Sequence, residues 1–96
     1  MDPMLGHGAT RSAAGRLALL ELRDAAIRAG EAVAEARRGT VDVRGLVAAR
    51  REHVSAMTAY QCALQAMSLP VPRQLRADLR LQARVVAMSD RTASGA

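Results

Sequence analysis

Lysine, phenylalanine and tryptophan are absent from this 96-residue chain, and it holds one cysteine, Cys62, and one aromatic residue, Tyr60. A lone cysteine excludes an intramolecular disulfide, and within a strongly helical stretch Cys62 is expected to behave as a small buried hydrophobe. His7, His53 and Cys62 fall at no metal-ligand spacing, so neither a metal nor another cofactor is expected. His53 and Cys62 are nine residues apart, half a helical turn out of phase, which keeps a nucleophile and a base from meeting on one straight helix. Gly6 and Gly8 lack the third glycine and the strand-turn-helix setting of a phosphate cradle. These absences point away from an enzyme. No apolar run is long enough for a membrane span or a signal-peptide core, so synthesis in the cytoplasm is expected, with signal-less export left open.

What is present is alanine, leucine and arginine. Half the residues are apolar, alanine being the commonest of them, so the core that one small domain can build is thin. All 14 basic residues are arginine against 9 acidic residues, giving a net charge of +5. Such a balance admits nucleic acid or an acidic surface as partner, but scattered arginine also serves simply to coat the solvent faces of helices.

The apolar spacing predicts an all-α fold: a helical hairpin plus a shorter third helix, over about 12–38, 42–68 and 72–89. Residues 1–11, with Pro3, Gly6 and Gly8, are expected to be a flexible lead-in carrying a solvated His7, and 90–96 a disordered tail. In the first helix Leu19, Leu22, Ala26, Ala29, Val33 and Ala36 recur at steps of three and four, and Leu20, Ile27 and Ala34 widen that stripe. Arg37 and Arg38 suit the negative end of the helix dipole, and Gly39 suits its close. Thr40 or Asp42 can cap the next helix. Asp24 with Arg28, and Glu31 and Glu35 with Arg38, read as solvated pairs on a helix face.

The second helix carries Val43, Leu46, Arg50, His53, Met57, Tyr60, Leu64 and Met67 on three-four spacing, a seam with polar interruptions at Arg50 and His53. Buried without partners those two would be costly, so that end of the seam is either exposed or sets a partner's register. Leu46, Met57, Tyr60, Leu64 and Met67 are the candidate protein interface. Pro70 and Pro72 end this helix, and Pro72 suits the first turn of the third. There Leu75, Leu79 and Val86 share one face, while Arg73, Arg76, Arg80 and Arg84 form the most basic stripe in the chain, a candidate contact for phosphate or an acidic partner. No aromatic residue interleaves with that stripe to stack on bases.

The run Val54-Ser55-Ala56-Met57-Thr58-Ala59-Tyr60-Gln61-Cys62-Ala63-Leu64-Gln65-Ala66-Met67 resembles the C-terminal helix of flagellar rod and hook axial proteins, at Val54, Ala56, Ala59, Tyr60, Leu64 and Met67. Gly39-Thr40-Val41-Asp42-Val43 with Leu46-Val47 and Ala49 is similar to the turn of the short hook-basal body protein that joins the rod to its membrane ring. The resemblance implies an exported, non-enzymatic subunit whose helices pack against copies of itself in a tube, as in type III secretion inner rods. The two prolines and the arginine-rich helix after Met67 depart from that pattern.

The combined expectation is a small helical bundle completed by self-association or by another helical protein, acting as an assembly or adaptor subunit. The alternative is a small arginine-rich nucleic-acid-binding protein.

Overall fold

The chain folds into three α-helices, seen in a computed structural model that describes residues 3–39 and 42–95, with side chains over 13–39 and 42–91. They are α1 (Pro3–Arg38), α2 (Val43–Ala66) and α3 (Arg73–Gly95). The fold is all-α, a small helical bundle, as the spacing of apolar residues predicts. Among the described residues α2 is central: α1 and α3 each pack along it and not against one another.

Two boundaries differ from the expected ones. α1 starts at Pro3 instead of near Ser12, because proline is suited to the first turn and an established helix extends cooperatively through Gly6 and Gly8, at a cost of about 1 kcal/mol each. α3 continues to Gly95 instead of stopping near residue 89, which makes it almost as long as α2 rather than clearly shorter. An ion pair from Asp90 to Arg51 ties its last turns to the start of α2. The expected lead-in and tail therefore lie largely within helices, and the side chain of His7 lies outside the described residues.

Local chemistry explains the turns. Gly39 donates its amide to the Glu35 carbonyl at 3.0 Å and closes α1. Asp42 is the cap of α2, its carboxylate accepting the Gly45 amide at 2.8 Å; Thr40 lies outside the described residues. At the far end Leu69 donates to the Leu64 carbonyl at 2.8 Å and Ser68 to that of Gln65 at 3.0 Å. That pair of bonds is a Schellman motif. It places Ser68 in the left-handed region, at φ 57°, where glycine is the usual choice. Pro72 then caps α3, its carbonyl accepting the Arg76 amide at 3.2 Å.

The hairpin forms the core. Among the described residues Ala26 and Val33 on α1 and Met57 and Leu64 on α2 are the buried apolar ones. Small residues let the two helices approach closely: a methyl group at Gly30 would sit 3.1 Å from Nε2 of His53, and one at Gly15 would sit 2.7 Å from Cε of Met67. Gly15 thus marks the level at which α2 ends, and α1 runs on past it. The resulting molecule measures 65 by 25 by 21 Å, with a radius of gyration of 17.1 Å, against about 12.5 Å for a compact domain of this length.

Candidate interaction surface

The stripe of α1 divides into two. Leu19, Leu22, Ala29 and Ala36 are half-buried beside the buried Ala26 and Val33, so this face packs on α2. Leu20, Ile27 and Ala34, about a quarter turn away, are exposed. Leu17 is 63% exposed, on the side of α1 turned away from α2. A helix that needed only α2 would have no use for the second stripe.

That second stripe borders a groove. Because α1 and α3 do not meet, a trough runs between them, floored by His53, Met57 and Tyr60 of α2. Ile27 and Arg23 form its α1 wall, and Leu75 and Asp78 its α3 wall. A second hollow, lined by Arg16, Leu19, Leu20 and Arg23 of α1 and by Tyr60 of α2, lies beyond it where α3 no longer forms a wall. From Gly30 to Arg23, where α3 flanks it, the trough follows α1 for about 10 Å, roughly two helical turns. Sequence reasoning missed this feature, although the extra stripe residues Leu20 and Ile27 were its visible signal.

Of the two polar interruptions of the α2 seam, Arg50 finds a hydrogen-bond partner inside the chain. Arg50 donates from Nη1 to Oε1 of Gln82 at 3.0 Å. His53 faces Gly30 on α1 and feels the Asp78 carboxylate from α3. Burial pushes its pKa below the ordinary value and Asp78 pulls the other way. Its Nδ1 is buried with no hydrogen-bond partner. Arg50 and His53 are thus half-buried, neither fully exposed, and Arg50 is tied to α3 through Gln82.

Several expected site residues stand elsewhere than foreseen. Met57, 2% exposed, and Leu64, 6% exposed, are consumed by the chain's own core and offer no contact surface. Leu46 and Tyr60 are half-buried, Tyr60 lining the groove, and Met67 is exposed. The reason is that α2 has a neighbour on either side, so its seam turns inward. Cys62 is exposed, not buried, because it stands two residues from Leu64 and therefore on nearly the opposite side of the helix.

Arg73, Arg76, Arg80 and Arg84 are all exposed, on the side of α3 opposite the half-buried Gln82 and Leu75. Among the described residues no carboxylate pairs with any of them. Arg76 and Arg80 rim a shallow hollow with Gln61, Gln65 and Leu79. Of the expected helix-face pairs, Arg38 meets Glu35 at 3.0 Å in an exposed pair of small energetic weight.

Among the described residues no three histidine, cysteine or acidic side chains converge as a metal site would require, and no helix is long and apolar enough to cross a membrane. Comparison with protein families, with curated proteins and with solved structures finds no match to this chain.

Proposed function

We propose that this chain is a non-enzymatic assembly or adaptor subunit that works by helix-to-helix contact through the trough between α1 and α3. The observation that carries this reading is the mismatch between core and surface. Among the described residues four apolar side chains are buried, Ala26, Val33, Met57 and Leu64, while eight large apolar ones are exposed. The exposed ones include Leu17, Leu20, Ile27 and Leu81. A trough walled by Ile27 and Leu75 over Tyr60 is the kind of shape that takes the apolar face of another amphipathic helix.

The test is denaturant unfolding of the dilute chain. An assembly subunit with so small a core should be marginal alone, with a stability below the roughly 5 to 15 kcal/mol of self-sufficient domains. A stability well inside that range in dilute solution would remove the basis of the reading. Its sharper form, a subunit of a flagellar or type III secretion axial structure, is supported by the resemblance over residues 39–67. Open-ended polymers in electron micrographs would favour it, and a closed small oligomer would count against it.

The four exposed arginines of α3 favour a second reading, a phosphate-binding face for nucleic acid. If it holds, replacing Arg76 and Arg80 with serine should weaken binding to duplex DNA and flatten its salt dependence by about two charges' worth of slope. Binding unchanged by that double substitution would dismiss it.

A further inference from the structure

We propose that the hollow where Gln61 and Gln65 of α2 meet Arg76 and Arg80 of α3 binds a phosphate group, carried as free phosphate or on a small phosphate ester. The trough plays no part in this site. Two of its arginines are shared with the nucleic-acid reading, but the site needs the α2 glutamines as well.

Spacing brings the donors together. Gln61 and Gln65 stand four residues apart on α2, and Arg76 and Arg80 four apart on α3, so each pair spans about one turn on one side of its helix. Both pairs line the same hollow. Two planar guanidinium forks, whose parallel N–H groups match phosphate oxygens, thus converge with two carboxamides that each carry an NH2 group. Among the described residues no hydrogen bond or ion pair within the chain uses any of these four side chains.

Charge selects the ligand. No carboxylate lines the hollow. Of the acidic residues of α3, Asp78 lines the trough and Asp90 pairs with Arg51. The acidic residue of α2, Glu52, lines a separate hollow against α1. A phosphate monoester carries close to two negative charges above its second pKa of about 6, which two guanidinium groups balance; a carboxylate has half that charge and fewer oxygens. At about 360 Å³ the hollow lies near the lower end of the roughly 300 to 1,000 Å³ of ligand pockets. That suits a phosphate and a small carbon body lying on Leu79 and Ala83. A nucleic-acid backbone would instead run along the whole arginine row and have no need of the glutamines.

The experiment is an NMR titration of the isotope-labelled full chain in phosphate-free buffer above pH about 7, following the side-chain signals of Gln61, Gln65, Arg76 and Arg80. The probes are inorganic phosphate, phenyl phosphate, and benzoate as a singly charged control. Both phosphates should shift these four side chains saturably, with benzoate at least about tenfold weaker. Tighter binding of phenyl phosphate assigns the site to an ester, and tighter binding of inorganic phosphate assigns it to the free ion. Arg76→Gln with Arg80→Gln should weaken binding at least about tenfold, and Gln61→Leu with Gln65→Leu about threefold to tenfold. Arg28→Gln with Arg37→Gln removes the same charge from α1 and should stay within about twofold. Circular dichroism checks that each variant keeps its helicity. Shifts that never saturate and spread over all the arginines overturn the proposal, as does binding that survives the glutamine pair. Duplex DNA is titrated in parallel. If DNA binds through Arg76 and Arg80 while neither phosphate does, the hollow is not a site and the nucleic-acid reading stands; if no probe binds, both fall.

Discussion

α2 has two neighbours, and it meets them by different chemistry. Against α1 it presents small and apolar groups, with Ala26, Val33, Met57 and Leu64 buried between them and Gly30 in contact with the His53 ring. Against α3 it adds hydrogen bonds and charge: Arg50 to Gln82, Arg51 to Asp90, and His53 beside Asp78. Close apolar packing excludes water and gains with every contact. Solvated polar contacts add specificity and only modest net energy. The hairpin is therefore the stable half of the molecule, and α3 is the helix that register-setting polar groups hold in place.

Substitutions can break or sharpen this contrast. The largest effect belongs to the hairpin: Met57→Ala should lose about 2 to 5 kcal/mol in chemical denaturation, whereas Leu81→Ala at an exposed position of α3 should stay within about 0.5 kcal/mol. Equal losses at the two positions would contradict the placement of the core. Next, Arg50→Ala should lower stability by about 1 to 2 kcal/mol and release α3 first. Hydrogen exchange reads this directly, with amides of α3 losing protection while those of α1 keep theirs. Uniform loss over all three helices would mean that the two interfaces open together.

Gains come from the glycine and turn positions. Ser68→Gly relieves a left-handed serine and should add about 1 kcal/mol. Gly15→Ala should add about 0.5 to 1 kcal/mol from helix propensity, since the Met67 side chain it meets is flexible and exposed. Gly30→Ala should add less, because the methyl group meets the stiff His53 ring instead. A thermal melt in which Gly30→Ala matches Gly15→Ala would show that the helices are less closely packed at His53 than described.

The smallest effect is that of pH. His53 is bracketed by Arg23 and Gly30 of α1 and by Gln74 and Asp78 of α3, and its folded pKa lies below the ordinary 6.5 because burial disfavours the charged ring. The unfolded chain therefore takes up the proton at higher pH than the folded one. Stability should be complete above 6.5 and decline as the solution is acidified below it. His53→Gln should remove that slope from the melting midpoint. A midpoint that rises on acidification would mean that Asp78 outweighs burial.

Much of this was legible in the residues. Steps of three and four located the α2-facing side of α1 through Ala26 and Val33, and the prolines after Met67 ended α2 where they should. Arg50 and His53 stood out as costly interruptions. That their partners are Gln82 and Asp78 was not legible, because periodicity describes a face and not the helix that will cover it. For the same reason Met57 and Leu64 read as an interface when they are core. The trough depends on α1 and α3 flanking α2 without meeting, which is a tertiary fact. Its trace in the sequence was an apolar stripe wider than one neighbour requires. Ser68 carried no signal at all, since serine in the left-handed region is uncommon.

On the proposed function, this chain holds only part of the core it works with. The most direct test is the melting midpoint followed by circular dichroism as protein concentration is raised. Association that stabilises the folded chain makes the midpoint climb with concentration, and that climb should vanish in the Leu20→Asp, Ile27→Asp variant. A midpoint that is high and independent of concentration in the wild type would show that the three helices suffice by themselves.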